Sequence, residues 1–204
     1  PPVDEDSFQI RQNSISSPPG ARRLRISAER QVREGRPPGD VSTYLHERAL
    51  LGSTILLSPP CGELTLPPDD TGPLLLVSYG IGVTPFVSML GDFAERGIRR
   101  PVIHVHIDRD ALHHPHRFET EEYLAGLPEG RSHPVYDDLR WAPKSAVPTP
   151  LDFRELALPP DTTALLCGPS SFLQATRAAL VNAGVGPRSI RYEVFGPDLW
   201  TAPS

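Results

Sequence analysis

Two glycine-bearing bends are the places in this sequence best suited to chemistry: Gly80-Ile81-Gly82-Val83-Thr84-Pro85 and Cys167-Gly168-Pro169. In the first, the glycines let the backbone turn sharply and leave no side chain between it and a bound group. Thr84 suits a helix N-cap, and Pro85 suits the first helical position, where an N–H has no helical partner. Free N–H groups at a helix start, backed by the helix dipole, favour a pyrophosphate. A glycine pair alone is equally compatible with a tight strand-to-helix turn that binds nothing. It also departs from the Gly-x-Gly-x-x-Gly fingerprint, because Pro85 stands where the third glycine would be. The second bend repeats the design: apolar strand, glycine turn, proline, helix. If the two strands are parallel neighbours, both bends open on one crevice at the carboxyl edge of the sheet.

The elements that must hold these bends follow from the spacing of apolar residues. Leu74-Leu75-Leu76-Val77 is a continuous apolar run, the mark of a strand buried on both faces. A helix is expected over Pro85–Arg96, stopped by Gly97. Further strands are expected at Val102–Ile107, Ser132–Tyr136, Thr163–Cys167 and Ile190–Glu193. Helices are expected near Phe118–Leu124, Leu151–Leu156 and Ser170–Ala183. This alternation predicts a doubly wound α/β nucleotide-binding domain over 71–204, with a parallel five-stranded sheet. The first 70 residues have a different rhythm. Ile10–Ser16 and Arg22–Arg30 alternate apolar and polar residues, Thr54–Ser58 and Leu64–Leu66 look like short strands, and Val41–Arg48 like a brief helix. Together these predict a partial antiparallel β-barrel.

Composition narrows the function. The net charge of −5, with both signs mixed along 204 residues, argues against a nucleic-acid binder, which would present a basic face. No apolar run reaches the ~20 residues of a membrane span. The opening Pro-Pro-Val-Asp-Glu-Asp has neither the basic patch nor the apolar stretch of a signal peptide. Cys61 and Cys167 lie far apart without metal-ligand spacing, which fits a reducing compartment and a cytoplasmic protein.

Five ordered motifs carry a family resemblance over nearly the whole chain. Arg11-Gln12-Asn13-Ser14 resembles an Arg-x-Tyr-Ser flavin motif, and Gly39-Asp40-Val41-Ser42 resembles a second flavin-phosphate segment. With Gly80–Pro85, Cys167-Gly168-Pro169 and Tyr192-Glu193-Val194-Phe195-Gly196-Pro197, the pattern is similar to the ferredoxin–NADP reductase superfamily. Within that superfamily it looks most like the reductase portion of flavohaemoglobins. The resemblance implies FAD and NADPH or NADH as cofactors, with hydride passing from nicotinamide to flavin. It also implies an electron-accepting partner, a globin or another haem or iron–sulfur protein. Arg11 would pair with the flavin pyrophosphate. Ser14 would meet the reactive edge of the flavin, with Gln12 and Asn13 beside it. Gly39, Val41 and Ser42 would hold flavin phosphate. Gly80, Ile81, Gly82, Val83, Thr84 and Pro85 would hold the nicotinamide nucleotide. Cys167 would sit beside the nicotinamide with Gly168 and Pro169, and Glu193 would tune proton and electron transfer. Phe195, with Gly196 and Pro197, would cover part of the ring system. Residue type alone also allows Arg11 as an exposed strand arginine, Cys167 as a small apolar strand-end residue, and Phe195 as a core aromatic.

Two departures favour a rival reading, a nucleotide-binding or interaction module that has lost flavin. Asn13 stands where the motif has an aromatic, and an amide offers no comparable stacking surface. Only ten residues precede Arg11, so the barrel is expected to begin partway, as in a fragment or a degenerate homologue. Neither a globin segment upstream nor a cysteine-rich ferredoxin domain downstream is expected within the chain. His113-His114-Pro115-His116, flanked by Asp108, Arg109 and Asp110, reads as a solvated polar loop rather than a metal site. Arg109, after a parallel strand, either meets a 2′-phosphate or is a surface arginine among acids, which leaves NADPH and NADH both open.

Overall fold

The computed structural model describes residues 9–32, 35, 37–67, 69–136 and 152–194. Its centre is a five-stranded parallel sheet: β1 (Leu74–Tyr79), β2 (Val102–Asp108), β3 (Gly130–Tyr136), β4 (Thr163–Gly168) and β5 (Ile190–Val194). The spatial order is β3-β2-β1-β4-β5, so β1 and β4 are neighbours and the chain reverses direction of travel between them. That is the expected topological switch point. The helices are α1 (Asp40–Glu47), α2 (Thr84–Arg96), α3 (Arg117–Ala125) and α4 (Ser170–Asn182).

The pleat sorts side chains onto two layers. On one face, Leu74, Leu76, Leu165 and Cys167 pack with Phe86, Leu90 and Phe93 of α2, Leu124 of α3, and Leu64 from the preceding segment. On the other, Leu75, Val77, Val105 and Leu166 pack with Phe172, Leu173 and Leu180 of α4, and with Phe153 and Leu156 of a short 3-10 turn. That turn replaces the helix expected over Leu151–Leu156, of which Leu151 lies outside the described residues. α2 ends at Gly97 in the left-handed conformation (φ 63°), as its position after the last apolar turn foretells. At the amino edge, the buried Arg100 guanidinium donates to Asp70 O at 2.8 Å and to Asp70 Oδ1 at 3.0 Å. This ties the connection before β1 to the start of β2.

The first segment is built differently. Ile10–Ser16 and Arg22–Arg30 contribute one antiparallel bridge, Ile15 to Ile26, rather than two full strands. Thr54–Ser58 and Leu64–Leu66 form no ladder among the described residues. A short strand holds only where a second strand pairs with it, and here the described residues supply none. α1 forms as expected, one residue out of step with Val41–Arg48.

Candidate functional site

The two bends meet at the carboxyl rim of the sheet. β1 and β4 pair in parallel register through Ser78 and Cys167, and the bends follow directly. Gly82 is pressed against the end of β4: a Cβ built on it would run into Cys167 O and lie 2.8 Å from Cys167 C. No side chain fits there, so glycine at 82 is dictated by contact between the bends themselves. Gly80 plays the other part. Its φ is +53°, and a Cβ on it would meet nothing within 4 Å, which leaves the rim open above it.

The first bend is also more ordered than expected. Gly80–Val83 wind as a 3-10 turn that runs straight into α2, so Thr84 is the first α-helical residue and not an N-cap. Its hydroxyl donates to Ile81 O at 3.0 Å instead of capping, because helical winding has begun four residues earlier. Gly80 and Ile81 are half-buried at the rim, whereas Gly82, Val83, Thr84 and Pro85 are buried behind it. In the second bend Cys167 and Gly168 are buried and Pro169 is exposed.

Glu193 lies beside Cys167 across the β4–β5 register. Burial pushes its carboxyl above the usual range, and burial together with Glu193 pushes the Cys167 thiol well above its own. A neutral thiol is a poor nucleophile, so Cys167 offers a small uncharged wall rather than a reactive group. The loop before β1 closes on this corner: a Cβ on Gly62 would lie 3.8 Å from Glu193 Oε1, and Arg191 donates to Thr65 O at 3.1 Å.

The remaining expected positions are spread over the first segment and the end of β2. Arg11, Gln12 and Asn13 are exposed, and Ser14 is half-buried. The Arg11 guanidinium turns back to Ile10 O at 2.8 Å and Gln9 Oε1 at 3.2 Å. Gly39, Val41 and Ser42 are half-buried at the start of α1, where Ser42 Oγ donates to Gly39 O and accepts the Gln31 N–H. Arg109 is exposed and contacts Asp110 at 3.6 Å and the His113 ring. Phe195, Gly196 and Pro197 lie outside the described residues.

Next to the first bend lies a polar cluster that no sequence motif announces. Ser78 Oγ sits 3.0 Å from His104 Nε2 and 2.8 Å from His106 Nδ1, all three fully or almost fully buried. The His114 ring stacks on His106 at 3.7 Å, with Nδ1 3.0 Å from the Tyr136 hydroxyl. Burial depresses all three imidazoles, His114 to about 3, and each also feels a neighbouring imidazole or, for His106, the opposing pull of Asp108. His114 therefore is not part of a solvated loop: it is 7% exposed, and it closes the end of β2. Alternation along β2 (Val102, His104, His106 on one face) carries the signal, since a histidine in phase with core positions must be buried or that face left open. Among the described residues no set of three or more His, Cys, Asp or Glu is arranged to hold a metal ion. No described helix is long and apolar enough to cross a membrane.

The chain is similar to the flavohemoprotein of Bordetella pertussis, 36% identical over 197 residues, which cover 93% of this chain and 48% of that protein. It is also similar to the solved flavohem-like FAD/NAD-binding domain of nitric oxide dioxygenase from Vibrio cholerae. There the identity is 31% and the TM-score 0.81, covering 94% of this chain and 79% of that one. Ferredoxin-NADP+ reductase from Plasmodium falciparum, at 16% identity and a TM-score of 0.75, covering 95% of this chain and 80% of that one, shares the fold. The chain spans about half the length of the named flavohemoproteins it matches. No family model matches it.

Proposed function

The chain belongs to the flavohaemoprotein branch of the ferredoxin–NADP reductase superfamily, and from that premise we propose that it carries electrons from NADH or NADPH to FAD. The observation that supports this most directly is the meeting of the two bends at the switch point, with Gly82 against Cys167 and the rim open above Gly80. That cradle fits a dinucleotide. Gly80 and Ile81 would lie along its phosphates, and the buried ends of β1 and β4 would back the nicotinamide. Arg11 and Ser14 from the first segment, with Ser42 at the start of α1, would hold FAD. Residues 1–70 would thus form the flavin side and 71–204 the nucleotide side.

When bound, the two cofactors supply the hydride donor and an acceptor able to release electrons singly. The protein's own work is orientation. Cys167, held as a neutral thiol by burial and by the neighbouring Glu193 carboxyl, presents a small uncharged wall at the β4 corner. Gly82 fixes the distance between the two bends. The acceptor is proposed as a haem or iron–sulfur partner, and the name of the longer relatives, flavohemoprotein, favours haem. A cytoplasmic setting fits the two free cysteines, Cys61 and Cys167.

The exposed Asn13 favours a second reading, in which the chain binds nucleotide without flavin. One experiment separates the two. The purified protein is mixed with FAD, freed of excess, and titrated anaerobically with NADH and with NADPH. A yellow protein bleached by either dinucleotide is the expected result, and the preferred one reports on Arg109. A protein that stays colourless after FAD addition yet binds the dinucleotide would overturn the oxidoreductase reading.

A further inference from the structure

The stretch that follows Ser14 is fastened to the nucleotide side at two places. On α2, Ser88 Oγ donates to Ser17 O at 2.7 Å. Gly91 of the same helix lets Pro18 approach so closely that a Cβ there would lie 2.6 Å from Pro18 Cγ. On α3 the junction is polar. The Arg25 guanidinium donates to Ser16 O at 2.6 Å, to Ser16 Oγ at 3.1 Å and to Glu119 Oε1 at 2.7 Å. His116, just before α3, has Nδ1 2.9 Å from Glu119 Oε2 and Nε2 2.8 Å from Ser27 Oγ. A carboxylate only accepts, so the ring proton sits on Nδ1, and in the neutral ring Nε2 accepts from the Ser27 hydroxyl. Ser27 Oγ is in turn 3.0 Å from Ser16 Oγ. Burial raises the Glu119 carboxyl, but its bonds to Arg25 and His116 outweigh this and hold it below the usual range.

We propose that His116 and Glu119 are positioning residues, which set the alignment of the flavin-side segment 14–27 against the nucleotide side. The proposal rests on the oxidoreductase reading above. Its physical basis is the set of directional bonds that joins α3 to the segment, Arg25 and His116 meeting Glu119 while Ser27 meets His116. Ser16 is two residues from Ser14, so a shift of these bonds is carried directly to the proposed flavin contact. A misplacement of about 1 Å between reacting groups lowers a transfer rate about a hundredfold. The α2 contacts persist when the α3 bonds are cut, so cutting them misaligns the segment without detaching it.

The test uses the full chain with His116→Ala, Ser27→Ala and His116→Gln. Ser27→Ala removes a single hydroxyl from the same bond, and serves if His116→Ala does not fold. Two quantities are measured: amide hydrogen exchange over residues 15–27 without any ligand, and the single-turnover rate of flavin reduction by whichever dinucleotide reduces the wild type. Expected are faster exchange in both alanine variants and a reduction rate about ten- to hundredfold lower. KM for the dinucleotide stays near wild type, and His116→Gln recovers part of both quantities. Unchanged exchange and rate would overturn the proposal, as would faster exchange with an unchanged rate, which would leave only a fold contact. A wild type that is never reduced would instead refute the functional reading and the positioning role together, while the exchange data still show whether these bonds fasten the segment.

Discussion

Leu76 and Leu56 stand in apolar runs of similar make, Leu74-Leu75-Leu76-Val77 and Ile55-Leu56-Leu57, yet Leu76 is fully buried and Leu56 is 75% exposed. The difference lies in the neighbours. Leu76 is paired on both sides, with His104 of β2 and Leu165 of β4, and α2 lies across it. Residues 54–58 have no ladder partner among the described residues. An apolar run states that burial is favourable, at about 25 cal/mol per Å². It does not supply the surface that does the burying. The α/β half closes its own layers, and the segment before it does so only where it touches that half, as at Leu64.

The sharpest way to break the comparison is at the tightest contact of the α/β half. Gly82→Ala drives a methyl group into Cys167 O, 2.8 Å from Cys167 C, with backbone on both sides and no flexible side chain to yield. We expect a loss of about 3 kcal/mol or more in chemical denaturation, the upper range for overpacking, and failure to bind a dinucleotide. Gly80→Ala meets open space and suffers only from its left-handed backbone, with a loss of about 1 kcal/mol. Equal losses at the two positions would show that the bends are not in contact.

A smaller effect should separate the halves by pH. Burial lowers His104, His106 and His114 in the folded chain, whereas an unfolded chain protonates each near pH 6.5. The unfolded state then binds more protons below that pH, so stability falls as pH drops from about 6.5 towards 3. Each imidazole adds a slope of at most about 1.4 kcal/mol per pH unit. His114→Phe keeps the stack on His106 and removes one of the protons. Its stability curve should be flatter than wild type over that window, and parallel curves would contradict the burial of His114.

How much of this is legible in the sequence follows the same division. Strand β1 is readable because four apolar residues in a row, opening an alternation of strands and helices, suit a strand buried on both faces, and α2 because Pro85 and Gly97 mark its ends. The adjacency of β1 and β4 enters the sequence argument only as a condition, because strand order is set by crossovers and not by local pattern. Gly82 reads as room for a ligand, whereas its closest neighbour is the protein's own backbone. No local signal distinguishes those two uses of glycine. His114 reads as solvated because its neighbours Asp110, His113 and Pro115 suggest solvent, while the stack on His106 joins residues eight apart across a turn. The short strands of the first segment are overstated by their sequence, since alternation is visible along one strand but pairing depends on another.

The smallest expected effect is at Leu56, set against Leu76 in the other half. Leu76→Ala should cost about 2–5 kcal/mol, because a fully buried side chain leaves a cavity in a layer that α2 cannot collapse to fill. Leu56→Ala removes a side chain that already meets solvent over three-quarters of its surface, so its effect should lie within about 0.5 kcal/mol. The measurement is the denaturation midpoint of each variant at unchanged slope, which keeps the unfolded-state reference the same. If Leu56→Ala costs as much as Leu76→Ala, then Leu56 is covered in solution, and the contrast between the halves is one of which surfaces are brought together rather than which residues are apolar. If it costs nothing, exposure at 55–57 is a real property of the folded chain, and a polar residue at 56 should be tolerated with equal ease.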